Sequence, residues 1–316
     1  MTDFINSSQL LHWSFPDLDA VTNTRKALND CHVISFEELE QFRAILENEL
    51  IRFMKYTDEQ LKISRQTMHI ALCFHKRFYL RSSLMDYHPL LILLSCVYLA
   101  VKVDEVNPGI SNFAKFAKVF LQCYMDKQYS AQLISRCITY YELVIVEKLD
   151  YQIMIHCPLR ALRGFFIDMR CRWIDVDHVF LEKIRPFAEE ITTKAILADC
   201  LLTFTPSAIA LTSIIYAACK DQPGFNFDEY IMNLLLSSSA NSVEQGRKLR
   251  SMLRKISNAM KRFDEFYSKI NLMDNGIKER LQKIKQYIPA SRFELDQITE
   301  AVGVLQTLDL DESFSK

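Results

Sequence analysis

Residues 84–105 read Leu-Met-Asp-Tyr-His-Pro-Leu-Leu-Ile-Leu-Leu-Ser-Cys-Val-Tyr-Leu-Ala-Val-Lys-Val-Asp-Glu. From Pro89 to Val101 no residue carries a charge, and then Lys102, Asp104 and Glu105 follow at once. Pro89 suits a first helical turn, and Asp86 is a candidate cap for it. A helix that is apolar all round belongs inside a protein, among other helices. It is too short to cross a bilayer, which takes about 20 apolar residues. The stretch therefore predicts a central core helix over 88–104 that ends in an exposed cluster of charges.

That helix has a twin. Shifting the chain by 118 residues lays Ser95-Cys-Val-Tyr98-Leu-Ala100-Val-Lys102 over Ser213-Ile-Ile-Tyr216-Ala-Ala218-Cys-Lys220, with Ser, Tyr, Ala and Lys shared. Each copy follows a proline, Pro89 or Pro206. The spacing is far longer than the unit of a solenoid repeat. It fits a duplicated helical domain. The second copy lacks the Asp-Glu that follows Lys102, so the two halves are not expected to be equivalent in function.

Composition agrees. A chain of 316 residues has room for about two domains. With 49% apolar residues and only 6 Gly and 8 Pro, it favours helices over a turn-rich β fold and offers little for Gly-rich phosphate loops. The formal net charge of -1 excludes a generally polycationic surface. Nine scattered cysteines without a Cys-x-x-Cys read as thiols in a reducing compartment, not as disulfides or a zinc site. The N-terminus shows no basic segment followed by an apolar run, so neither a signal peptide nor a membrane segment is expected.

Periodicity predicts helices at 17–30, 36–55, 65–80, 88–104, 111–122 and 130–149. A second series follows at 158–171, 178–203, 206–220, 228–236, 242–267 and 277–288. Asn107-Pro-Gly109 and Asp274-Asn-Gly276 read as breaks. Residues 151–157 read as an extended connector. The expected organisation is a flanking segment and helix over 1–35, a first helical domain over 36–157, a second over 158–270, a C-terminal helix over 271–288, and a tail over 289–316 whose mixed acidic, Ser and apolar composition leaves room for partial disorder.

Several segments together resemble the cyclin family, and within it the cyclin H group. They are Ser7-Ser-Gln-Leu-Leu-His12-Trp13-Ser-Phe15, Lys76-Arg-Phe-Tyr79-Leu80, Met85-Asp-Tyr-His-Pro89, Lys102-Val-Asp-Glu105, Tyr141-Glu-Leu143 and Thr205-Pro-Ser-Ala-Ile-Ala-Leu-Thr212. The resemblance spans roughly 6–288. It implies an all-α fold of two tandem five-helix cyclin boxes, with flanking N- and C-terminal helices beside the first box. It implies no catalysis and no cofactor. Its partners would be a catalytic subunit like cyclin-dependent kinase 7, a RING-type assembly factor and general transcription factor IIH, in the nucleus.

The resemblance also nominates a site. In cyclins a lysine at the end of the third helix and a glutamate in the fifth form a charged pair facing the kinase. Here these are Lys102 and Glu142. Val103, Val146, Tyr151 and Ile153 match apolar positions that meet the kinase. By periodicity alone Val146 could equally be core. Sequence position alone would leave Lys102 and Glu142 as two surface charges.

Other motifs point elsewhere or nowhere. Adjacent acid pairs such as Glu189-Glu190 and Asp264-Glu265 point in different directions on a helix and form no acid/base couple. His69 and His75 lack the i, i+4 spacing of a metal-binding helix, and His88 before Pro89 suits a helix start. No metal ligands are expected. Phe42-Arg-Ala-Ile-Leu46 resembles a substrate-docking patch of cell-cycle cyclins, but the tryptophan expected a turn later is missing, so a core-facing stripe is the better reading. Residues 241–288 hold twelve Lys or Arg against five Asp or Glu. They keep open an alternative in which a cyclin-fold transcription factor grips DNA directly. The neutral net charge and the absence of an N-terminal zinc ribbon argue against direct nucleic-acid binding. A helical scaffold with no kinase partner is a third reading.

Overall fold

The computed structural model describes residues 4–29, 34–61, 63–106, 108–172, 178–221, 227, 230–231, 242–270, 275–288, 295 and 297. Among them are twelve α-helices and no strand: α1 Ser8–His12, α2 Leu18–Leu28, α3 Phe36–Leu61, α4 Arg65–Phe78, α5 Pro89–Val103, α6 Ile110–Gln122, α7 Ala131–Lys148, α8 Pro158–Arg172, α9 His178–Leu197, α10 Pro206–Asp221, α11 Ser242–Ser268 and α12 Asn275–Lys285. The chain forms two compact units. One holds residues 21–153 and 270–316, the other 1–20 and 154–269. The expectation of a helix at 228–236 falls outside the described residues, Tyr230 and Ile231 apart, and the tail beyond 289 does so too, Leu295 and Gln297 apart.

In the first unit α5 is the hub. Its residues from Pro89 to Val101 are all buried, and α3, α4, α6 and α7 pack around it. Burial of each Leu, Ile or Val there contributes about 1.5–3 kcal/mol relative to exposure. The helix is capped by His88, whose Nδ1 accepts from the Leu91 amide at 3.4 Å. Asp86, the cap read from the sequence, instead accepts from the Ser83 amide at 2.7 Å and closes the preceding turn. It sits three residues before Pro89, too far back to reach the free N–H groups of the first turn. Ser95 Oγ donates to the Ile138 carbonyl at 3.3 Å, fastening α5 to α7.

α3 runs on to Leu61, a turn and a half beyond the expected end, because Met54, Thr57 and Leu61 keep its apolar face buried. The Phe42–Leu46 stripe faces inward, each of its residues buried. Its Arg43 belongs to a chain of alternating charges that joins three helices. Arg25 of α2 meets Glu40 of α3 at 3.5 Å, Glu40 meets Arg43 at 2.8 Å, Arg43 pairs with Glu47, and Glu47 accepts from Lys76 of α4 at 2.8 Å. Glu47 is 0% exposed, and its charge is tolerable there only because two cations hold it. α12 also lies on α3, with Lys283 near Glu38 at 3.5 Å and Arg280 near Gln41 at 3.4 Å. Both flanking helices of this unit thus rest on α3.

In the second unit α10 takes the part of α5. Ala208–Ile214 and Ala217–Ala218 are buried, and α8, α9 and α11 pack around it. Thr205 caps it through the Ala208 amide at 3.4 Å. The shared residues have diverged in use. Ser213 Oγ donates to its own helix, to the Ile209 carbonyl at 2.9 Å, whereas Ser95 reaches a neighbour. Residues 4–15 pack in this unit: the Phe15 amide donates to the Leu202 carbonyl at 2.7 Å, and Gln9 Oε1 accepts from the His156 amide at 2.7 Å. The flanking segment read as 1–35 is therefore divided, α1 with the second set of helices and most of α2 with the first.

His69, on α4, is wholly buried, and loss of water pushes its pKa from about 6.5 down to about 3, with Arg65 adding to the shift. Burial lowers His75 as well. The unfolded chain therefore takes up protons below pH 6.5 that the folded chain refuses, so stability is whole above that pH and falls as pH drops toward 3. For His69 alone the loss is about 1.4 kcal/mol per pH unit. Urea unfolding at pH 7.5 and pH 5 is expected to show this decline, and His69→Leu to lessen it.

Candidate functional site

α5 ends where its apolar run ends. Lys102 is its last charged position, and Asp104 is its C-cap. The Val106 amide reaches back to the Val101 carbonyl at 3.0 Å, closing a Schellman-type turn with Glu105 at φ 61. Asp104 does not face solvent as a free charge. It accepts from Gln66 Nε2 at 2.9 Å and Ser64 Oγ at 3.0 Å, and from Thr67, and so ties the end of α5 to the capping box that starts α4. In the Lys-Val-Asp-Glu motif the aspartate is thus structural, and the lysine is left pointing outward.

Lys102 and Glu142 are brought together across α5 and α7 as an ion pair. The two are not alike. The Lys102 side chain is 44% exposed, while that of Glu142 is 12% exposed. The sequence reading put both at the surface. Glu142 instead lies against the core, because on α7 it follows Tyr141 and shares the inner face with Ile138 and Ile145. Its carboxylate is held where water is scarce by a lysine that is itself half in water. The Lys102 ammonium also stands 5.5 Å from the centre of the Tyr98 ring, one turn back on α5, a cation–π contact that fixes its direction.

Around the pair, Val103 and Val146 are each partly exposed, so Val146 is not a core residue. α7 closes by the same device as α5. Its terminal hydrogen bond is donated by the Tyr151 amide to the Val146 carbonyl at 3.0 Å, with Asp150 at φ 52 and Tyr151 at φ 60. Two successive non-glycine residues in the left-handed region cost about 1–2 kcal/mol each and must be held by their surroundings. Arg81 meets Asp150 at 3.1 Å, and the buried Arg77 donates to the Gln152 carbonyl at 3.2 Å. The Lys76-Arg77-Phe78-Tyr79 segment therefore has two tasks, the buried bond to Glu47 and the clamp on this turn. The clamp sets Tyr151 outward, 75% exposed, with Ile153 partly exposed after it.

Sequence reasoning missed Leu143, beside Glu142 on α7 and 67% exposed. An exposed leucine in an otherwise patterned helix is its only signal. The twin lysine, Lys220, is exposed at the end of α10, and there the cation over the matching tyrosine is a different one: Lys194 of α9 stands 5.9 Å from the Tyr216 ring. Among the described residues no cluster of His, Cys, Asp and Glu could hold a metal ion, and no helix is long and apolar enough to cross a membrane.

Residues 20–154 match the cyclin N-terminal domain, and residues 157–268 match the cyclin C-terminal domain. The chain belongs to the cyclin family. It is 30% identical over 244 residues to cyclin-H of Xenopus laevis, covering 73% of this chain and 72% of that one. It is 29% identical over 196 residues to cyclin-H1-1 of Arabidopsis thaliana, covering 61% and 53%. In fold it is similar to a chain of the CAK complex from Chaetomium thermophilum bound to ATP-γ-S, with a TM-score of 0.75, 19% identity and coverage of 99% and 95%. It is also similar to a chain of the yeast TFIIK (Kin28/Ccl1/Tfb3) complex, with a TM-score of 0.61, 21% identity and coverage of 79% and 100%.

Glu105 sits where glycine is the usual residue. Glu105→Gly is expected to stabilise the free chain by about 0.5–1 kcal/mol by removing the left-handed penalty, read as a higher urea midpoint.

Proposed function

We propose that this cyclin docks its kinase through the face formed by Lys102, Val103, Glu142, Val146, Tyr151 and Ile153, with Leu143 added to it. The chain acts as a regulatory subunit that binds and activates a cyclin-dependent kinase of the cyclin-dependent kinase 7 type. The supporting observation is the Lys102–Glu142 pair, an exposed lysine anchored by a buried carboxylate and bordered by exposed apolar side chains. Such a border is what a partner helix needs: apolar area for affinity and a fixed charge for register.

The mechanism follows from what a kinase lacks when alone. Its regulatory helix must swing inward so that a glutamate pairs with the phosphate-binding lysine. A surface that binds this helix only in its inward position shifts the kinase population toward the active form. The turn at 150–151 is already fastened by Arg77, Arg81 and the Tyr151–Val146 hydrogen bond in the free chain, which lowers the ordering cost of binding. A third subunit, a RING-type assembly factor, a place in general transcription factor IIH and residence in the nucleus are inferred from the cyclin-H relatives. The three-protein TFIIK complex that contains a chain of this fold supports the third subunit.

A binding titration against the purified kinase subunit tests the assignment. Lys102→Ala and Glu142→Ala are each expected to cost about 2–5 kcal/mol, roughly thirty- to several-thousand-fold in Kd. Lys102→Ala should also lower Tm, since it strands the buried Glu142 carboxylate. Lys220→Ala should bind like the wild type, with circular dichroism as the fold control for all three. A Lys102→Ala chain that binds the kinase normally would remove this face from the interface.

A further inference from the structure

α11 is the longest helix of the second unit, 27 residues, and its two sides have opposite characters. Leu253, Ile256, Ala259 and Met260 are buried, and the helix packs on α9 and α10. On its outer side Arg247, Lys248, Arg250, Arg254, Lys255, Lys261 and Arg262 are all exposed. At about 100° per residue these seven fall within about 160° of arc and along about 22 Å of axis. No Asp or Glu occurs from Gln245 to Phe263. Of the acids that bracket the run, Glu244 pairs with Lys248 at 2.8 Å and Asp264 with Lys194 of α9, and the exposed Glu265 follows Arg262 by three residues at the end of the face. In a chain of net charge -1 this is a local and strongly cationic face.

Its apolar side is already spent inside the second unit, so the helix cannot lie in a lipid surface as a free amphipathic helix would. A nucleic-acid strand would use aromatic platforms for its bases. Here Phe263 and Tyr267 stack on each other, with ring centres 5.6 Å apart and an 18° interplanar angle, which occupies a face of each. Along one border of the basic arc lie Met252, Phe263 and Phe266, all half-buried, next to Lys248, Lys255 and Arg262. A phosphodiester backbone has nothing to place against such residues, whereas an acidic polypeptide with interspersed apolar side chains does.

We infer that the outer face of α11 is a second docking surface, separate from the kinase-binding face, whose occupant is an acidic segment of a protein partner carrying apolar anchors. Carboxylates pair with cations of this face, Lys255, Lys261 and Arg262 foremost, and Phe or Leu side chains seat beside Met252, Phe263 and Phe266.

The test uses the full chain and a fluorescein-labelled acidic peptide containing Phe and Leu, read by anisotropy. Binding is expected to weaken as salt rises. It should fall roughly tenfold or more in the triple variant Lys255→Glu, Lys261→Glu, Arg262→Glu, which should keep its affinity for the kinase subunit. Hydrogen exchange on the wild type with and without peptide should show protection over 247–266, a readout that stands even if the triple variant misfolds. Equal peptide affinity of a folded variant, or protection elsewhere in the chain, overturns the proposal. Tighter binding of duplex DNA than of the peptide makes this a nucleic-acid face and overturns it too. Loss of kinase binding in the folded variant assigns α11 to the kinase interface instead.

Discussion

A helix without a polar side can persist in water only if other helices enclose it, and most of the first unit follows from that constraint on α5. Four helices are needed to cover Pro89–Val101, and they are α3, α4, α6 and α7. Where the apolar run stops, the chain must emerge, so Lys102 is delivered to the surface by the same arithmetic that buries Val101. α7, pressed against α5, carries Glu142 to meet it. The ion pair is thus placed by core packing, and its orientation comes from secondary fastenings: Tyr98 beneath the ammonium, Asp104 pinned to the start of α4, and Arg77 and Arg81 on the turn after α7.

Buried charge plays a different part in each place. The Arg25–Glu40–Arg43–Glu47–Lys76 chain is largely enclosed, each member meets an opposite charge, and it ties α2, α3 and α4 together. Removing one member would leave an uncompensated ion in the core. The Lys102–Glu142 pair is half open. Its lysine can meet a further group without abandoning the carboxylate, which is what an interface charge requires. Among the described residues the second unit keeps helices packed around α10 but shows no counterpart of this pair at Lys220, in keeping with the missing Asp-Glu after it.

Much of the fold was legible because α5 and α10 carry an unmistakable pattern, apolar on every side and headed by proline. The pairing of Lys102 with Glu142 was legible only through resemblance to cyclins, since a separation of forty positions hides it from any local rule. The burial of Glu142 was not legible, because a glutamate between Tyr141 and Leu143 reads as solvent-facing until α5 is laid against α7. Nor were the turns at Glu105 and at Asp150–Tyr151, where non-glycine residues take left-handed angles that a sequence reader assigns to glycine. Asp86 misled as a cap because spacing to the helix start, not residue type, decides which side chain reaches the free amides. The division of 1–35 depends on contacts of Gln9 and Phe15 with residues far along the chain, which no local pattern announces.

The ends of α5 and α7 are the proposed meeting place with the kinase. Hydrogen–deuterium exchange of the full chain, alone and with the kinase subunit, addresses it without any mutation. Protection on complex formation is expected to concentrate at 102–106 and 142–153. Protection confined to 206–221 or to 242–268, with 102–106 and 142–153 unchanged, would move the kinase interface to the second unit.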